Sequence, residues 1–158
     1  MSDPDEAQRR REQRERWNRG FAEAVPHNRA LGLIVVELGD DWSLYRLPWE
    51  ERLVGNVETG VLHGGAITAL LDAACGSAVF SALPSPQPVA TLDLRIDYLK
   101  PATARLDVQA RATCYKVTRN VAFVRATAFH DDEADPIAAA SGTFMIATRP
   151  GTARRGTP

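Results

Sequence analysis

Alternation of apolar and polar positions marks most of this chain as sheet. LIVVEL (33–38) and WSLYRL (42–47) are β-type runs joined by Gly39-Asp40-Asp41, a composition that folds a hairpin. In TLDLRIDYL (91–99) the period of two is unbroken: Leu92, Leu94, Ile96 and Tyr98 share one face, and Thr91, Asp93, Arg95 and Asp97 share the other. RLDVQARATCYKV (105–117) sets Leu106, Val108, Ala110, Ala112 and Cys114 on its inner side, and VAFVRATAFH (121–130) pairs with it across Thr118-Arg119-Asn120. After the turn from Asp131 to Pro136, IAAASGTFMIAT (137–148) closes the sheet. One stretch drops this period. VLHGGAITALLDAACGSAVFSAL (61–83) is apolar or small almost throughout, and Pro84-Ser85-Pro86-Gln87-Pro88 stops any continuation, so it reads as a single long helix. Two strands, one helix and then antiparallel strands predict an α+β fold in which a curved antiparallel sheet wraps round one long central helix.

Asp72 is the one charged side chain in that helix. It shares a stripe with Gly65, Ala69 and Gly76, while Ile67, Leu70, Leu71, Ala74 and Ala78 fill the bulkier remainder. An unpaired buried carboxylate costs several kcal/mol, roughly, so it needs a hydrogen-bonding partner or a task. His63-Gly64-Gly65 opens the same helix, where backbone N–H groups lack intrahelical acceptors and the dipole is positive. Such N–H groups suit a developing oxyanion, and one such donor contributes roughly 3–4 kcal/mol in a transition state. Gly64 and Asp72 are eight residues apart, about 12 Å along a helix. They cannot serve one carbonyl within a single chain, but two helices related by a two-fold axis could join the glycine end of one to the acid of the other.

Composition narrows the partners. Nineteen Lys and Arg face twenty Asp and Glu, a net charge of −1 that supplies no basic surface for nucleic acid. The apolar run would tempt a membrane reading, yet a mid-bilayer carboxylate costs roughly 2.5–3.5 kcal/mol and Ala, Gly and Ser fill much of the run, so no membrane span is expected. Cys75 and Cys114 read as core thiols, and His27 and His130 lack ligand spacing to His63, so no metal site is expected. With no apolar leader at the N-terminus, the expected compartment is the cytoplasm. Residues 1–20 read as a charged arm, helical or frayed, anchored by Trp17 at most; 21–148 as the folded domain; 149–158 as a disordered tail. Trp42 and Trp49 are expected to pack on the sheet or at an interface.

The residues Asn56…Gly60-Val61-Leu62-His63-Gly64-Gly65…Leu71-Asp72, followed by Thr91-Leu92-Asp93…Tyr98-Leu99-Lys100-Pro101-Ala102, resemble the hotdog-fold acyl-CoA thioesterases of the phenylacetate-degradation (PaaI) type over roughly residues 28–148. The resemblance implies hydrolysis of a coenzyme A thioester, with no cofactor beyond the coenzyme A of the substrate, by a homodimer or a dimer of dimers. By that analogy Asp72 is general base or nucleophile, the Gly64 N–H polarises the carbonyl, Asn56 places water or substrate, His63 shapes the helix entrance, and Thr91 lies near the reacting water. Leu62 and Gly65 flank the substrate, and Lys100, Lys116, Arg119 and Asn120 hold its nucleotide end. Strict alternation turns Thr91 away from the apolar face, so a bulge or a subunit boundary is required for that role. Ala69, Ala73, Phe80, Phe123 and Phe144 are candidates for the acyl pocket. Two alternatives follow from the same fold: a non-catalytic acyl-CoA binder, and a hydratase or dehydratase in which His63 acts as base.

Overall fold

The computed structural model describes residues 23–146 without interruption, together with Asp5, Gln8, Arg9, Glu12, Arg16, Arg19 and Gly20. Those seven are helical and exposed, and Gln8 donates to Glu12 one turn on at 2.9 Å. Trp17 and the expected tail at 149–158 lie outside the described residues. A short helix α1 (Pro26–Leu31) leads into the hairpin β1 (Ile34–Leu38) and β2 (Trp42–Leu47). A 3-10 turn (Glu51–Leu53) and a small ladder, β3 (Val54–Asn56) with β4 (Val61–Leu62), deliver the chain to α2 (Gly64–Ala82). Four long strands complete it: β5 (Val89–Tyr98), β6 (Val108–Val117), β7 (Val121–Phe129) and β8 (Ala138–Ile146).

β1, β2 and the four long strands form one antiparallel sheet in the order β1-β2-β6-β7-β8-β5, wrapped round α2. The helix crosses the sheet between β4 and β5, which is why β5 enters at the edge opposite β1 while β6 settles beside β2. Its bulky stripe is the buried one. Leu70, Leu71, Ala74, Cys75, Ala78 and Val79 are fully enclosed against Leu47, Val108, Val124 and Ile137. Each of the buried Leu, Val and Ile side chains among these contributes roughly 1.5–3 kcal/mol through burial. By length and apolarity α2 could cross a membrane; here the inner face of the sheet takes that role of apolar surroundings. Two buried hydroxyls tie sheet to helix: Ser43 donates to the Ala74 carbonyl at 2.7 Å, and Tyr45 and Ser77 share a hydrogen bond at 2.5 Å.

The segments of β5 and β6 depart from strict alternation in three places, and β1 carries a further bulge at Val36, where its register with β2 shifts between Val35 and Glu37. Leu106 precedes β6 and is 43% exposed, because that strand begins only at Val108. Tyr115 is a bulge residue in β6, where the register with β7 shifts between Cys114 and Lys116, and it faces solvent. Leu92 is the third: the β5–β8 register shifts between Thr91 and Asp93, so Leu92 is expelled to 52% exposure. Thr91 thereby takes the inward row, opposite the buried Phe144.

Candidate active site

The start of α2 is held by the small ladder before it. The His63 N–H donates to the Leu53 carbonyl at 2.8 Å, an approach that Gly55 permits, since a Cβ there would lie 2.8 Å from His63 Cα. Asn56 closes the intervening turn. Its carbonyl accepts from the Gly60 N–H at 2.8 Å, and its Oδ1 from the Glu58 and Thr59 N–H groups at 2.9 and 3.4 Å. His63 is the N-cap, its Nδ1 accepting from the Gly65 N–H at 2.8 Å. The Ala66 N–H reaches the His63 carbonyl at 2.9 Å. Among the described residues, nothing accepts from the Gly64 N–H. A bare donor at the positive end of a long helix is thus the first component of the site.

Two further side chains fix this first turn. Tyr98, at the end of β5, donates to the Gly64 carbonyl at 2.6 Å and shares a hydrogen bond with Thr68 Oγ1 at 2.8 Å. Sequence reasoning placed Tyr98 on the inward face but gave it no task; its inward position at the tip of β5 was the available signal.

Asp72 lies eight residues further along α2, half-buried, and Thr91 Oγ1 donates to its Oδ1 at 2.8 Å. The pair borders a cavity of about 490 Å³. The predicted stripe Gly65, Ala69, Asp72 and Gly76 forms one wall, Val89, Thr91, Leu94 and Phe144 form another, and Val25, His27 and Asn28 close one side. Of the pocket candidates, Ala69, Ala73, Phe80 and Phe144 line this space. Phe123 does not: it pairs with Lys116 on the outer face of the sheet, beside Tyr115 at 6.4 Å between ring centroids. The wall from α1 was not foreseen, because six residues beginning with a proline carry too short a pattern to announce a packing face.

The remaining predicted residues are dispersed. Leu62 is buried in β4 beneath the helix start, and Asn56 is engaged in its turn rather than in the cavity wall. Lys100 is ion-paired with Asp135. Lys116 and Arg119 have no acidic partner among the described residues and sit on the β6–β7 hairpin. That hairpin lies at the same end of the sheet as the site: Thr91 is opposite Phe144, Phe144 opposite Ala122, and Ala122 opposite Val117. Three strand spacings separate the ends of this row, about 14 Å. Trp42 lies under the Arg111 guanidinium at 4.3 Å, and Trp49 donates from Nε1 to the Gly60 carbonyl at 2.9 Å.

Cys75 is next to the site in sequence but not in chemistry. Burial pushes its thiol far above the usual range, and the neighbouring Asp72 charge pushes it further. Cys114 is raised as well, chiefly by burial. Neither is an available thiolate at neutral pH. Among the described residues, no group of three or more His, Cys, Asp or Glu side chains could hold a metal ion.

A bare helix-end amide, and an acid with a hydroxyl partner beside a cavity, are components that attack on a carbonyl needs, and comparison with known proteins gives the family. Residues 59–137, half of the 158, match the model of the thioesterase superfamily. The chain belongs to that superfamily. The medium/long-chain acyl-CoA thioesterase YigI of Escherichia coli K12 is 30% identical over 139 residues, covering 80% of this chain and 88% of that protein. A crystal structure of a Pseudomonas aeruginosa protein superposes with a TM-score of 0.75 at 45% identity, covering 81% of this chain and 95% of the other. A mutant of the phenylacetic acid degradation protein PaaI of Thermus thermophilus gives 0.66 at 28% identity, with 76% and 97% covered. This thioesterase has the hotdog fold of the PaaI type and is a thioester hydrolase. The reading as a non-catalytic binder gives way to that family membership. The hydratase reading also loses its base, since the His63 Nδ1 lone pair is occupied in capping the helix.

Proposed function

We propose that this thioesterase cleaves an acyl-CoA to the free acid and coenzyme A at two equivalent sites, each built from two copies of the chain. The observation that carries this reading is the Thr91–Asp72 hydrogen bond on the cavity wall, with the unpartnered Gly64 N–H about 12 Å away on the same helix. Because one carbonyl cannot reach both, the amide must come from a second α2. Two features favour that pairing. The Gly65–Ala69–Asp72–Gly76 stripe is the face of α2 that the sheet leaves uncovered, and its small residues allow close approach. β5 is an edge strand with Leu92 and Tyr98 exposed, so its outer backbone groups await a neighbour.

In the proposed reaction Asp72 takes a proton from a water held between its carboxylate and the Thr91 hydroxyl, and the water oxygen attacks the thioester carbon. The carbonyl oxygen becomes an oxyanion against the partner's Gly64 N–H. The carbon–sulfur bond then breaks, and the protonated Asp72 returns its proton to the departing thiolate, releasing coenzyme A and acid. General-base assistance supplies roughly 10²–10⁴-fold. The acyl chain runs from Asp72 past Ala73 and Gly76 toward Phe80, and the exposed cations of Lys116 and Arg119 suit the phosphates of the nucleotide end.

The test is thiol release from short, medium, long and aryl acyl-CoAs, with the association state measured in parallel by sedimentation. The reading expects turnover by a dimer or larger assembly; an active monomer, or saturable acyl-CoA binding with no thiol released, contradicts it.

A further inference from the structure

The bulge in β5 decides which way Thr91 faces. From Tyr98 to Asp93 the strand pairs with β8 residue for residue, with Leu94 opposite Gly142 and Asp93 opposite Thr143. Then the register skips, so that Thr91 lies opposite Phe144 and Leu92 is left over. In an unbroken ladder Leu92 would take the inward place, and Thr91 would turn outward with its hydroxyl away from Asp72.

Gly142 belongs to the inward row of β8, between Ala140 and Phe144, both of which carry side chains into the core. A Cβ on Gly142 would lie 2.9 Å from the Asp93 carbonyl oxygen and 3.1 Å from Leu94 Cδ1. The first of these is backbone and cannot swing aside. The carbonyl displaced by the bulge therefore occupies the space in which its row neighbours hold a Cβ.

We propose that Gly142 is a positioning residue for thioester hydrolysis: its missing side chain admits the Leu92 bulge, and the bulge turns the Thr91 hydroxyl onto Asp72. The proposal rests on the reading of Asp72 and Thr91 as the reacting pair. Gly142 is not on the cavity wall and acts only through the strand beside it.

The test compares Gly142→Ala, Thr91→Val, the double variant, and Gly142→Ala with Leu92 deleted, by kcat and KM in thiol release, with melting curves to confirm folding. Gly142→Ala should lower kcat on the order of 10²-fold, the effect of misplacing a reacting group, with KM held within about threefold. The double variant should be no slower than Thr91→Val, because the hydroxyl that Gly142 positions is already gone. Deleting Leu92 removes the extra residue, so β5 can pair without a skip while Thr91 stays opposite Phe144; this variant should recover to within about tenfold of wild type. If Gly142→Ala alone does not fold, the folded deletion variant decides: active supports the proposal and inactive overturns it. A fast Gly142→Ala, or losses that multiply in the double variant, overturns it while leaving the Asp72–Thr91 reading intact. A fast Thr91→Val overturns both.

Discussion

Asp72→Asn separates charge from shape at the centre of the proposed chemistry. The amide is isosteric with the carboxylate, and its oxygen can still accept from Thr91 Oγ1, which now lies 2.8 Å from Oδ1. What goes is the negative charge. Exchanging a charge-assisted for a neutral hydrogen bond costs about 1 kcal/mol, so the variant should fold and melt within a few degrees of wild type. Cys75 loses one of the influences that raise its thiol, but burial, the larger one, persists, so no reactive thiolate is created. Removal of the base should cost roughly 10²–10⁴-fold in kcat, or about 3–5 kcal/mol of barrier. KM should shift by less than about threefold, because the cavity wall and the exposed cations are untouched. Initial rates of thiol release at saturating and limiting acyl-CoA give both constants, and mass spectrometry excludes deamidation back to Asp. A kcat within about threefold of wild type would refute Asp72 as the base.

Gly64→Pro deletes one amide hydrogen at a position built to accept it: Gly64 is the first helical residue, and His63 before it is extended at φ −65° and ψ 133°. The atoms nearest a Cβ there are those of the Tyr98 ring end, with Oη at 3.4 Å, so circular dichroism should be unchanged while kcat falls about 10²–10³-fold; normal turnover would remove the oxyanion role. Ala73→Leu narrows the cavity beyond the reacting pair, and kcat/KM should drop at least about tenfold for long acyl chains while short ones stay within about threefold. Equal losses for all lengths would place the acyl chain elsewhere. Tyr45 links pH to stability. Burial raises its phenol from 10.0 to about 12, partly offset by Ser77, so its contribution is intact below pH 10 and is lost as pH climbs through 12, amounting to roughly 2–3 kcal/mol. Urea unfolding from pH 9 to 12 should show a shallower decline in Tyr45→Phe; parallel declines would contradict this.

The sheet was legible because its strands alternate apolar and polar residues against one buried face. The helix was legible because a long run without that alternation, ended by three prolines within five residues (84–88), has few other fates. The uncovered stripe of Asp72 was likewise readable, since helical spacing alone collects Gly65, Ala69 and Gly76 beside it. Bulges were not. Leu92 carries the apolar side chain that strict alternation wants inward, and what expels it is the carbonyl of Asp93 resting over Gly142, a contact across about fifty residues of chain. The short β3–β4 ladder leaves no sequence signal for a related reason: its two pieces hold three and two residues, too few for a period. Its purpose, holding His63 and the helix start, emerges only from Gly55 and Leu53 against His63. Tyr98 shows a residue whose orientation followed from pattern and whose partner, the Gly64 carbonyl, did not.

Subunit complementation tests the shared site most directly. Asp72→Asn and Gly64→Pro protomers, each nearly inactive alone, are unfolded together and refolded as a mixture. If each site joins Asp72 of one chain to Gly64 of its neighbour, every mixed dimer carries one site free of both substitutions, and random mixing restores about one quarter of wild-type activity. If the two groups act within one chain, every site in the mixture retains a lesion. A mixture no faster than its two parents would contradict the account.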